Sequence, residues 1–301
     1  MLESSRSFFA ELDRRVRATL VSIGIYNWAQ QLTYQYNALY ANSLGANGVQ
    51  IGLLNGASAV VSSIASVPMG SAVEKYSIKK IMLLGIIFDI ISVTICVLAG
   101  NWWMLIPVFI LHGKLIRVIP LADVAFTTFT EPHVRSTVMG LSRLVWGILN
   151  VFTPIAATVI VADFGGINAQ GIRPLYYFEA ALYVVTFFIL AKGMGTTSGI
   201  AKRKGLESTN VNLIQHYRGF FKDGRYLKRW IAVRIVRDFA VGLSAAFIPL
   251  WMVNVKGATP YIFGTSITLS VVVFFLLSIP VGRLADKIGR KKTFYLLTPF
   301  Y

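Results

Sequence analysis

"SIPVGRLADKIGRKK", residues 278–292, closes an apolar run long enough to cross a membrane. From Gly282 to Lys292 it packs one acid and five bases into eleven positions. A loop that only had to stay in water needs no such spacing. Here Asp286 follows Gly282 by about one helical turn, and a conformationally free Gly289 precedes Arg290 and Lys291. An earlier stretch, "SVPMGSAVEKYSIKK" (66–80), reads as a worn copy of it.

Composition sets the broad class. The chain has 301 residues, 55% hydrophobic and 14% charged, with mean hydropathy +0.63. Soluble domains are about a quarter charged. A hydrocarbon core of ~30 Å takes about 20 apolar residues at about 1.5 Å each. Such runs recur at 19–41, 49–73, 80–99, 102–126, 136–162, 174–194, 229–255 and 260–282, and a ninth begins at Thr293. The expected fold is an all-α polytopic membrane protein with eight full transmembrane helices plus the start of a ninth.

The net charge of +16 is a topology signal rather than a nucleic-acid footprint. Twenty-two bases fall in the N-terminal segment and the even-numbered connections, against Arg173 and Lys256 in the opposite loops. That asymmetry puts the N-terminus in the cytoplasm, and a multi-pass plasma-membrane protein is expected. Charges scattered through residues 1–18 rule out a signal peptide. Phe8, Phe9, Leu12 and Val16 suit the apolar side of a helix lying on the inner membrane surface, or an ordinary extension of the first span. A single cysteine, Cys96, excludes an internal disulfide framework.

The chain also repeats itself. At an offset of 212, residues 42–84 fall on 254–296 with 14 identities in 43 positions. Asn42, Gly45, Gly52, Pro68 and Gly70 match Asn254, Gly257, Gly264, Pro280 and Gly282. Six spans separate the copies, so they run in the same direction. Parallel repeats of this kind build one class of secondary transporter.

With these residues the sequence resembles the major facilitator superfamily, whose signature is G-x-x-x-D-R/K-x-G-R/K-R/K after helices two and eight. Gly282, Asp286, Lys287, Gly289, Arg290 and Lys291 fit it position by position. The first copy keeps Gly70, Glu74 and Lys75 but has Ser77 and Ile78 where a glycine and a base belong. The resemblance implies parallel six-helix repeats: an N-terminal bundle (19–194), a basic cytoplasmic linker (195–228) and an incomplete C-terminal bundle (229–301). It implies that the motif acid steadies one closed arrangement. Asp286 is expected against the start of the fifth span, around Arg135 and Arg143, and Glu74 against an eleventh helix. A family chain has twelve spans, so this one reads as C-terminally truncated. Its transport is expected to need the missing helices or a complementary chain.

In the family, helices one, four, seven and ten line the solute cavity. In the first, Asn27, Gln30, Tyr34 and Asn37 share one helical face and Gln31 lies beside them. Such a stripe suits a hydroxylated or amide-bearing solute, or hydrogen bonds between helices. His112 and Arg117 stand in the fourth span and Arg237 in the seventh. Arg234 and Asp238, four residues apart, are spaced to pair. Asp89, in the third span, suits a structural acid or a proton-coupling one. Glu179 and Asp123 read as residues near span ends, structural or interfacial. No phosphate loop, metal-ligand pair or nucleophile elbow is present, so neither an enzyme nor a cofactor is expected, and proton or ion coupling stays open. The function implied is secondary or facilitated transport of a small solute by alternating access; the competing reading is a nontransporting membrane receptor or scaffold.

Overall fold

The computed structural model describes residues 12–112, 115–195, 225–245 and 247–297. Phe8, Phe9, Lys114 and nearly all of the basic linker lie outside them, as do the side chains of Glu74, Arg290 and Lys291. All regular structure among the described residues is helical.

In chain order, α1 (Arg14–Tyr34) and α2 (Asn37–Ser43) form the first run, α3 (Gly48–Lys75) the second and α4 (Ile78–Leu98) the third. The fourth comprises a 3-10 turn (Trp102–Leu105), α5 (Ile106–Leu111) and α6 (Val118–Phe129). α7 (Arg135–Asp163) and α8 (Ala169–Gly193) follow. The seventh run is α9 (Arg225–Ala245), α10 (Ile248–Leu250) and a π-helical turn (Trp251–Val255). α11 (Pro260–Ile288) is the eighth, and α12 (Arg290–Leu297) begins the ninth.

Five of these helices, α3, α4, α7, α8 and α11, are long and apolar enough to cross a membrane unbroken. The first, fourth and seventh runs are interrupted instead. α1 stops at a turn over Gln35 and Tyr36, where the Tyr36 amide bonds the Thr33 carbonyl at 2.8 Å. The fourth run leaves helical geometry at His112 (ψ 105°) and re-enters after Arg117 (ψ 94°). Pro120, in the first turn of α6, has no backbone N–H to continue a helix across that break. The seventh restarts with Pro249 in the first turn of α10.

α1 is the hub of the N-terminal bundle, packing against α8, α7 and α6, while α4 packs on α8. Val16 is 1% exposed and Leu12 is also buried, so this stretch enters the bundle core rather than lying on a membrane surface. Basic side chains close helix ends, where carbonyls lack partners. Lys79 Nζ donates to the Ala191 carbonyl at the end of α8 at 2.6 Å. Arg173 Nη2 donates to the Ala99 carbonyl at the end of α4 at 2.7 Å.

The repeat reappears in three dimensions. Gly45 (φ 93°) and Gly257 (φ 65°) make equivalent turns before α3 and α11. Asn47 caps α3 through the Gln50 amide, and Thr259, its counterpart, caps α11 through the Ile262 amide. Pro68 and Pro280 each lie inside their helix. Asn254 Nδ2 donates to Asn42 Oδ1 at 2.9 Å, a bond between repeat-related residues. The two halves also meet where α11 lies along α7 and where Phe263 sets its ring edge-on to Tyr36, 5.3 Å between centroids.

Candidate functional site

The three broken runs surround one cavity of about 840 Å³. α1 and α2 supply Gln30, Tyr34, Gln35 and Asn37; α3 supplies Asn55, Ser58 and Ser62. His112 and Arg117, the two ends of the break between α5 and α6, face it from the fourth run. Asp238, Phe239 and Phe247 close the wall from the seventh. Breaking the helices is what turns polar groups inward: extended backbone at 112 and 117 aims residues that a continuous helix would spread around its circumference.

The lining is held in place from behind. Asn37 Oδ1 accepts a hydrogen bond from Tyr176 of α8 at 2.8 Å. His112 Nε2 lies 3.0 Å from the Tyr183 hydroxyl and 3.2 Å from Glu179 Oε1. Tyr26 donates to Asp89 at 2.6 Å and stacks on Tyr183, 5.0 Å between centroids. Glu179 is 0% exposed and falls mid-helix in α8, which corrects its placement near a span end.

Not every expected lining residue is there. Asn27 is buried outside the cavity, its Oδ1 without a hydrogen-bond partner among the described residues. Gln31 and Arg237 are also outside the lining. Asp238 faces the cavity while paired with Arg234 Nε at 2.8 Å and Arg237 Nε at 3.4 Å. Asn55, Ser58 and Ser62 join the lining outside the sequence expectations, although their i, i+3, i+7 spacing on α3 is a legible stripe.

The family model of the Major Facilitator Superfamily matches residues 19–301. The chain belongs to the major facilitator superfamily. No curated protein sequence matches it at comparable significance. Among solved structures, a mutant of the nucleoside transporter NupG superposes with TM-score 0.73 at 12% identity, over 93% of this chain and 70% of that one. A bacterial homologue of the human lysosomal transporter Spinster, in an inward-facing and unoccupied conformation, gives 0.68 at 16% identity, over 98% and 64%. A D-xylose–proton symporter gives 0.65 at 14% identity, over 90% and 70%. At such identities the likeness concerns the fold.

The superfamily motif between the eighth and ninth runs adopts a sharp turn. Gly289 has φ 88° and ψ 145°, a conformation that side chains disfavour. Asp286 is exposed and makes no hydrogen bond or ion pair among the described residues. Its expected neighbours are engaged elsewhere: Arg143 with Asp123 at 2.9 Å, and Arg135 with the Thr130 carbonyl at 3.3 Å. Apart from its own stretch of helix, nothing described lies within 4 Å of where a Cβ on Gly282 or Gly70 would stand, so neither glycine makes a close helix contact in this arrangement.

Proposed function

We propose that this major facilitator superfamily chain carries the solute site of a secondary transporter, and that the cavity between its broken runs binds an uncharged, hydroxyl- or amide-bearing solute. The cavity itself is the observation that supports this reading. Its volume of about 840 Å³ falls within the range of about 300–1,000 Å³ common for small-molecule sites. Gln30, Gln35, Asn37, Asn55, Ser58 and Ser62 offer donors and acceptors, and Tyr34, Phe239 and Phe247 offer flat surfaces. Asp238 is neutralised by its arginine partners, which leaves Arg117 to bind any acidic substituent.

Alternating access is the mechanism we attach to the site. The end carrying Asn42 and Asn254 is held together by a hydrogen bond, whereas Asp286 at the other end is exposed and makes no ion pair among the described residues. With the N-terminus in the cytoplasm of a plasma-membrane protein, as the basic loops favour, this is the inward-open arrangement. Swinging α11 against the start of α7 would bring Asp286 to Arg135 and Arg143. The chain spans 64–70% of the three solved transporters, and full transport activity is proposed to need a complete second bundle, from further helices or a complementary chain.

Thermal-shift titration with nucleosides, pentoses and neutral amides tests the site directly. Ligand bound to the folded state raises Tm by mass action. A selective shift that falls about tenfold in apparent affinity on Gln30→Ala or Arg117→Ala, the loss of about 1.4 kcal/mol of binding, supports the reading. Saturable uptake into vesicles separates a transporter from a receptor: binding without flux in the complete protein would sink the transport reading.

A further inference from the structure

Among the described residues Glu179 is the most enclosed acid of the N-terminal bundle: its exposure is 0% and its Oε2 is buried with no hydrogen-bond partner among them. Its other oxygen, Oε1, accepts from Tyr183 at 2.8 Å and faces His112 Nε2 at 3.2 Å. A bare carboxylate in an apolar bundle costs several kcal/mol unless a proton or a cation neutralises it. His112 is the base within reach. Its side chain is 11% exposed and lines the cavity, so the ring is open to the cavity in part while Nε2 faces the acid.

Proton geometry narrows the states. His112 Nε2 faces two oxygens at once, Tyr183 Oη at 3.0 Å and Glu179 Oε1 at 3.2 Å. The tyrosine's own proton is directed at Glu179. Lone pairs alone would repel there, so a proton must sit either on Nε2 or on Glu179. With Nε2–H on a neutral ring and Glu179 ionised, the pair carries one negative charge. One further proton from cavity water makes it neutral, as imidazolium with carboxylate or as imidazole with carboxylic acid. Only N–H and O–H bonds change.

We propose that His112 and Glu179 form a proton-binding site in the cavity wall. The ring takes the proton from the water of the solute cavity, and the buried acid holds the charge balance. Among the described residues, the titratable and charged groups around this cluster are Tyr183 of α8, Tyr26 of α1 and Asp89 of α4, with Arg117 on the same cavity wall. Asp89, bonded to Tyr26 behind the Tyr26–Tyr183 stack, adds negative potential that favours the proton. Lys114, two residues from His112, lies outside the described residues and enters the test. His112 ends α5 at the break of the fourth run. Its charge therefore changes at the joint between the two pieces of one cavity wall. Coupling of this proton to solute movement rests on the transport reading; the binding of the proton does not.

The test needs no solute. Infrared difference spectra of the full chain in lipid nanodiscs are taken between about pH 5 and about pH 8, the interval in which imidazole ordinarily titrates. The expected result is a change in histidine-ring and carboxyl bands that occurs together. Glu179→Gln, which keeps Tyr183's acceptor, removes the carboxyl component and lowers the number of protons bound by one. His112→Gln abolishes the ring component and the coupled carboxyl change, so it gives the answer if Glu179→Gln does not fold. Asp89→Asn and Lys114→Gln keep both signals. The proposal is overturned if Glu179→Gln leaves the spectra unchanged, or if Asp89→Asn or Lys114→Gln removes the carboxyl change. Absence of solute uptake, by contrast, would count only against the transport reading.

Discussion

Arg173, counted with the sparse bases of the opposite loops from the sequence, lies in the second turn of α8 and shows what a lone charge does there. Nη2 closes the end of α4 through the Ala99 carbonyl at 2.7 Å, and Nε lies 3.4 Å from Tyr40 Oη. Tyr40 in turn donates to the Cys96 carbonyl at 2.7 Å. Replacing Arg173 with methionine keeps the aliphatic stem and removes the donors. A hydrogen bond to a charged group contributes about 1.5–3 kcal/mol, so Arg173→Met should lower Tm in detergent by several degrees without changing solute affinity. An unchanged Tm would mean water replaces the guanidinium at no cost. At this scale the sequence marked Gln30, Tyr34, Asn37, His112 and Arg117 as polar side chains in apolar runs that need a polar destination, and the structure brings all five to the lining of one cavity. The sequence misplaced Glu179, since position within a hydropathy run says nothing about which neighbours a helix face meets. Only the packing of α8 against α1 and α4 puts that acid beside His112.

Close approach between α7 and α11 depends on two glycines, and they differ in what faces them. A Cβ on Gly147 would lie 2.6 Å from the end of the Phe275 ring, a half-exposed side chain that can turn away. A Cβ on Gly264 would meet Thr158 and lie 3.1 Å from the Pro154 carbonyl oxygen, which is fixed backbone. Overpacking where nothing can yield costs about 1–3 kcal/mol. Gly264→Ala should therefore depress Tm clearly more than Gly147→Ala; equal effects would show that α11 slides freely along α7. The breaks in the first, fourth and seventh runs were illegible beforehand for a related reason. Apolar content averages smoothly through 102–126, and His112 and Arg117 look like residues within one helix. Gly113 and Pro120 were visible, but each is tolerated inside membrane helices when neighbours satisfy the freed backbone. What decides the outcome is the cavity, which lets backbone depart from helix where it faces water rather than lipid.

Across the whole molecule, the repeat was the most legible feature, because a fixed offset carries identical glycines and prolines, and caps of like function, into equivalent turns. The offset also marks a place for a reversible lock. Asn42 and Asn254 meet at 2.9 Å, and the natural cysteine, Cys96, is buried beside the cavity and is replaced by alanine so that only the introduced thiols react. Introducing Asn42→Cys with Asn254→Cys should let a short bifunctional thiol reagent join the halves at that end. Under alternating access, the joined protein should still bind solute while uptake by the complete transporter stops, and reduction of a cleavable linker should restore it. Uptake that survives quantitative joining would exclude a mechanism in which this end must open.

That same contact carries a trace of origin. Two-fold symmetry brings a residue on its axis against its own image. In a pair of identical ancestral units, one codon would have written both partners of the Asn42–Asn254 bond. Fusion into a single chain released each position to drift separately, yet both still read asparagine, a side chain that can donate and accept at once and so needs no different partner to bond with itself.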